Sequence, residues 1–212
     1  MIKTNIDYSL YAITERSYLG ERDFLEAVEE AIKAGITVLQ LREKDISGRE
    51  FYHLALQVRK LTKAYGIPLI INDRVDIALA VDADGVHVGQ EDIPAKAVRK
   101  IMGPEKILGV SAKTVEEAIK AEQDGADYLG VGAVFPSPTK PSSKAIGLEG
   151  LKEIKSKVKI PVVAIGGITK DNAKEVLAAG ADGLSCISAV FCGNITENVK
   201  ALKKVLYESR KH

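Results

Sequence analysis

Short apolar runs alternate with amphipathic stretches along the whole chain. The runs at 10–14, 37–42, 69–72, 85–89, 107–111, 128–132, 162–166 and 184–188 predict eight strands. Between them, Phe24, Val28, Ala31 and Ile32 recur at helical spacing, as do Phe51, Leu54, Ala55, Val58 and Leu61. Ala118 with Ala121, and Ala173 with Val176 and Leu177, repeat that spacing less richly. The strand runs are continuously apolar rather than strictly alternating, as in a parallel sheet covered on both faces. Eight such βα units with right-handed crossovers predict a closed (β/α)8 TIM barrel, class α/β, as one domain over residues 1–212. An open doubly wound sheet is the alternative, but no GxGxxG fingerprint follows the first strand.

Helix punctuation agrees with this division. Ser47 with Glu50, and Thr114 with Glu117, have capping-box spacing. Pro94 suits a first helical turn, and Gly35, Gly66, Gly125 and Gly180 stand where helices should stop. Gly125-Ala126-Asp127 and Gly180-Ala181-Asp182 form a weak internal repeat, with Ala83-Asp84-Gly85 a shorter echo. Small residues there suit tight αβ turns, which is architecture rather than chemistry.

In a parallel α/β fold, ligand groups belong at the carboxyl ends of strands. Here the polar residues gather at those ends, and the glycine turns lie at the others. The second strand runs into Gln40, Arg42 and Lys44, which alternate onto one face; a solvated strand end would read the same way. The third ends at Asn72-Asp73 and the fourth is followed by Gln90 and Asp92. Adjacent parallel strands would bring Asp73 and Asp92 together, a pair suited to a magnesium ion and through it to phosphates, although Asp73 alone would also serve as a helix cap. The fifth strand ends at Ser111. Gly166-Gly167 after the seventh and Ile187-Ser188-Ala189 after the eighth can cradle a phosphate on backbone N–H groups, or the glycines simply relieve crowding. His87, between Val86 and Val88, reads as a packed strand histidine rather than a base. Residues 133–146 make a long βα loop stiffened by Pro136, Pro138 and Pro141 and carrying Ser137, Thr139 and Lys140, a lid over a phosphate or else a surface excursion.

Composition narrows the partners. A net charge of +1 argues against nucleic acid and anionic membranes, so any anion site is local. No apolar stretch reaches the roughly 18 residues of a membrane span, and no signal-peptide core opens the chain, so a cytoplasmic location is expected. Cys186 and Cys192 are read as reduced thiols.

The chain resembles the thiamine phosphate synthase family. The likeness lies in Gln40 to Lys44, Asn72 to Ala78, Ala83 to Asp92, Gly130 to Lys140 and Val163 to Ile168, in that order. The resemblance implies a (β/α)8 barrel that joins hydroxymethylpyrimidine diphosphate to hydroxyethylthiazole phosphate with magnesium, releasing pyrophosphate from a carbocation-like pyrimidine. It further implies that Asp73 and Asp92 ligate the metal. Arg42, Lys44, Asn72 and Lys140 would hold the diphosphate, Gln40 would lie against the pyrimidine or its diphosphate, and Ser111 would sit near the reacting carbon. Ser137, Thr139, Gly167, Ile187 and Ser188 would hold the thiazole phosphate. Two positions depart from the family pattern: Ala133 stands where proline is frequent, and Ser137 where threonine is common. A thiazole tautomerase on the same barrel has no diphosphate to hold, so Arg42, Lys44, Asp73, Asp92 and Lys140 favour the synthase. A non-catalytic barrel that senses thiamine intermediates is the reading from another class. A homodimer is plausible from the family, and sequence does not decide it.

Overall fold

The computed structural model describes residues 6–136 and 144–210. All eight apolar runs form strands: β1 Leu10–Ile13, β2 Val38–Leu41, β3 Leu69–Asn72, β4 Gly85–Val88, β5 Ile107–Ala112, β6 Tyr128–Gly132, β7 Val162–Ile165 and β8 Gly183–Cys186. Each pairs in parallel with the next, and β8 returns to β1 to close the barrel. The helices are α1 Phe24–Ala34, α2 Gly48–Tyr65, α3 Val75–Ala80, α4 Ala95–Met102, α5 Val115–Gln123, α6 Gly147–Lys157, α7 Ala173–Ala178, α8 Ser188–Phe191 and α9 Ile195–Ser209, with a 3-10 turn at Arg16–Tyr18. Several strands stop a residue or more short of their predicted ends. Arg42, Gly89 and Gly166 lie just past β2, β4 and β7. Ser188, expected to end the eighth strand, instead opens α8, because Ile187 breaks the extended path at φ −108°, ψ −84°.

Two apolar layers result. Alternate strand residues such as Leu39, Ile71 and Leu129 face the helices and form the large core with them. The remainder, among them Tyr11, Val38, Ile70 and Tyr128, fill the barrel itself. Helix ends follow the sequence signals. Asp23 accepts from the N–H groups of Leu25 and Glu26, and the Ser47–Glu50 capping box is complete. The second box is only half formed: Thr114 Oγ1 accepts from Glu117 N, but the Glu117 carboxylate accepts from Lys113 N, one residue before the cap.

The Gly-Ala-Asp repeat has a structural meaning that spacing alone did not show. Just before β4, β6 and β8 stand Asp84, Asp127 and Asp182, and each carboxylate accepts a backbone N–H from the start of the preceding strand. The bonds are Leu69 N to Asp84 at 2.8 Å, Leu108 N to Asp127 at 2.8 Å and Val162 N to Asp182 at 2.7 Å. Each acid also donates its own N–H to the carbonyl of that same residue, locking two strands in register. A cation from the helix before the odd strand completes each clamp: Arg59 of α2, Arg99 of α4 and Lys155 of α6. Thr37 plays the uncharged equivalent between β1 and β2, its hydroxyl accepting from Leu10 N and donating to Leu10 O. The barrel is therefore four clamped strand pairs, fastened at the end opposite the polar strand termini.

Burial sets the clamps' worth. Asp127 and Arg99 are 17% and 18% exposed, so Asp127→Ala strands a cation and a buried N–H and should cost about 2–4 kcal/mol. Asp182 is 41% exposed, and Asp182→Ala should cost only about 1 kcal/mol. Urea unfolding of both variants checks that order, and equal losses would show that burial does not grade the clamps.

Candidate active site

The site is built on glycines inside the barrel. A Cβ on Gly109 of β5 would lie 2.2 Å from Tyr128 Cζ and 2.5 Å from His87 Nδ1, and one on Gly130 of β6 would lie 2.9 Å from His87 Cε1. Their missing side chains are the room in which the two rings sit. Tyr8 and Tyr11 pack tilted against Tyr128, with ring centroids 4.8 and 5.6 Å away. The polar edges of Tyr11, Tyr128 and His87, but not of Tyr8, form an unbroken chain with Gln40 and Ser111. Gln40 Nε2 donates to Tyr11 Oη (2.8 Å), the hydroxyls of Tyr11 and Tyr128 are 2.6 Å apart, Tyr128 Oη meets His87 Nδ1 (2.9 Å), and His87 Nε2 meets Ser111 Oγ (2.9 Å). Burial pushes both phenols far above their ordinary range, so they remain protonated hydrogen-bonding groups.

Above this floor opens a cavity at the carboxyl ends of the strands, with about 1120 Å³ of empty space including its open mouth. Of the residues read from sequence, Gln40, Arg42, Asn72, Ser111, Gly167, Ile187 and Ser188 all line it. Arg42 is held by an ion pair with Glu15 and by Thr14 Oγ1, which accepts from Arg42 N at 3.0 Å. Gly166 and Gly167 adopt φ of +100° and +62°. The crowding reading holds, since a Cβ on either would collide with residues 133–136 at the base of the loop after β6, and both glycines also line the cavity. That base is fastened where Val134 N donates to Ile165 O and Phe135 N to Gly166 O. Ser188 opens α8, whose first N–H groups have no acceptor within the helix.

Lys44, Asp73 and Asp92 do not line the cavity but form a charged cluster beside it. The expectation that Gln40, Arg42 and Lys44 point together holds for Gln40 and Arg42, which share the cavity, and is corrected for Lys44. Gln40 is buried on the floor, Arg42 faces the cavity, and Lys44 pairs with Asp73. Asp73 follows Asn72 directly in the left-handed region (φ +61°), its N–H donating to His87 O, so it belongs to the β3–β4 seam and does not cap α3. Asp92, four residues beyond the end of β4, folds back to accept from Gly89 N at 2.7 Å. Burial first, and then Asp73 beside it, raise the Asp92 carboxyl above its usual range, against the opposing pull of Gly89 N–H and Lys44. Ser137, Thr139 and Lys140 lie outside the described residues.

His87 is, as read, a buried strand histidine, yet it also lines the cavity and contacts Ser111. Tyr11, Tyr128 and Lys113 are cavity residues the sequence reading missed. Lys113 had a signal, since it alternates with Ser111. Nothing local distinguishes Tyr11 and Tyr128 from ordinary strand apolars.

The family model described as thiamine monophosphate synthase matches residues 10–190. The thiamine-phosphate synthase of Caldanaerobacter subterraneus subsp. tengcongensis is 61% identical over 196 residues, 92% of each chain. That of Clostridium acetobutylicum is 51% identical over 204 residues, covering 96% of this chain and 95% of its own. Among solved structures, thiamine phosphate pyrophosphorylase from Pyrococcus furiosus superimposes with a TM-score of 0.89 at 45% identity, over 96% of this chain and 98% of the other.

If the interior glycines hold the floor in place, Gly109→Ala should force the Tyr128 and His87 rings apart and destabilise the protein by about 1–3 kcal/mol, as overpacking does. A thermal melt indistinguishable from wild type would show that the rings move aside freely.

Proposed function

The chain belongs to the thiamine monophosphate synthase family, and we propose that its barrel mouth joins hydroxymethylpyrimidine diphosphate to hydroxyethylthiazole phosphate, giving thiamine phosphate and pyrophosphate. It is thus a transferase acting on small molecules. The observation that carries the reading is one juxtaposition: a rim of Arg42, Lys44, Asp73 and Asp92 next to a ring-lined cavity. A diphosphate needs the rim, and two heterocycles need the cavity. A tautomerase handling the thiazole phosphate alone has no use for the rim.

The carboxylate pair fits a magnesium ion. Asp73 and Asp92 supply hard oxygen donors, and Asp92 is raised by burial and by its neighbour, a strain that a divalent cation would relieve. Among the described residues no group of three or more His, Cys, Asp or Glu gathers, so substrate phosphates and water would complete the shell. When bound, the metal supplies charge neutralisation for the diphosphate.

The remaining work falls to the chain's own residues. Arg42, Lys44 and Asn72, with Lys140, hold the diphosphate. Glu15 and Asp73 keep the first two cations in place beforehand, so little reorganisation is left for the moment of departure. Gln40 and Ser111 orient the pyrimidine over the tyrosine floor. Gly167, Ile187 and Ser188, with Ser137 and Thr139, seat the thiazole phosphate so that its ring nitrogen faces the carbon the diphosphate leaves. A departure-first substitution needs no strong base, which suits a site whose one histidine is already bonded to Tyr128 and Ser111.

Incubation with both substrates and magnesium should yield thiamine phosphate, and no product under those conditions would refute the assignment. Asp73→Asn and Asp92→Asn should each lower turnover at least tenfold, or about 1.4 kcal/mol of barrier. Magnesium should raise the melting temperature of the wild type more than that of either variant, a readout independent of turnover. Asp92 has a folded-state value raised above the unfolded one. Its contribution is therefore full at acid pH and lost as pH rises through the folded value. Measured without metal, the stability of wild type relative to Asp92→Asn should fall as pH rises across the carboxylate range; a flat difference would remove the carboxylate pair from the metal assignment.

A further inference from the structure

The polar chain on the barrel floor joins two groups that both line the cavity, Gln40 and Ser111, and its proton count is constrained. A phenol has one proton. Tyr11 Oη already accepts from Gln40 Nε2, so full satisfaction requires Tyr11 to donate to Tyr128. Tyr128 then donates to His87 Nδ1, the imidazole proton stands on Nε2 and goes to Ser111 Oγ, and the Ser111 proton is left for another partner. Reversal requires the Gln40 amide to turn over and every proton in the chain to move with it. In the first sense Gln40 Oε1 is the spare acceptor and Ser111 the spare donor; in the reverse the two exchange roles. The ends always have opposite senses.

We propose that Tyr128, backed by Tyr11, is a positioning residue that fixes the His87 tautomer and so couples Gln40 to Ser111, making the cavity selective for a heterocycle edge bearing one donor beside one acceptor, as an aminopyrimidine does. This rests on the pyrimidine reading given above. The packing supports it: Gly109 and Gly130 exclude side chains where the two rings meet, so the chain has no slack in which to re-form. It also explains why buried hydroxyls occupy a barrel interior where aliphatic side chains would pack without polar cost.

The full chain labelled with 15N in its histidine rings tests this without substrate, the His87 signals being assigned by their loss in His87→Gln. Wild type should show a single tautomer protonated on Nε2. In Tyr128→Phe, Nδ1 loses its donor and both nitrogens should shift, while kcat/KM for the pyrimidine diphosphate falls roughly tenfold and KM for the thiazole phosphate stays put. Tyr8→Phe, which removes a hydroxyl from the same aromatic cluster but not from the chain, should change neither. Gln40→Glu can no longer donate to Tyr11, so it should drive the chain backwards and move the imidazole proton to Nδ1; this second variant stands even if Tyr128→Phe does not fold. A wild-type proton on Nδ1, an unmoved tautomer in Gln40→Glu, or a shifted Tyr128→Phe spectrum with unchanged pyrimidine kinetics would each overturn the proposal. An inactive wild type whose tautomer still responds to Gln40→Glu would sink the synthase reading and leave the tautomer lock standing.

Discussion

Tyr128 and His87 can meet inside the barrel only because Gly109 and Gly130 leave them the room. This one packing relation decides how the rest of the site is arranged. It puts aromatic rings where branched aliphatics usually fill a barrel, which gives the cavity a floor of tilted rings. It also brings five polar side chains from five different strands into one hydrogen-bonded row. In a low-dielectric interior such a row is stable only when every member is satisfied, so floor geometry and hydrogen-bond direction are set together.

The two ends of the barrel divide the labour. At one end, Thr37, Asp84, Asp127 and Asp182 fasten the strands in pairs, and three of the four recruit a cation from the helix before the first strand of the pair. At the other, Arg42 pairs with Glu15 and Lys44 with Asp73, while Asp92 lies beside Asp73 and is raised by burial and by that second carboxylate. Similar ion pairs thus serve opposite purposes. The clamps are complete within the chain, whereas the rim leaves two carboxylates side by side.

Ser111 shows how much chemistry was legible locally: a hydroxyl at a strand end, in a fold whose ligands bind there, is a candidate before any coordinates exist. Gly166 and Gly167 show the same, since positive-φ glycines past a strand mark close approach, though which backbone approaches was not readable. Asp127 was rightly read as architecture, but its partner was not readable. Its repeat was visible, but its bond to Leu108 lies nineteen positions back along the chain, beyond any local pattern.

The sequence by itself determined the (β/α)8 class, the helix stops and the end of the barrel at which the site opens. Those depend on periodicity, caps and glycines, which act over a few residues. Only the tertiary structure decided that Lys44 turns to Asp73 rather than to the cavity, that Ser188 begins a helix, and that Tyr11, Tyr128 and His87 join into one row. Those outcomes depend on which strands become neighbours and which interior volume remains unfilled once the barrel closes, and both are properties of the whole sheet rather than of any segment in it.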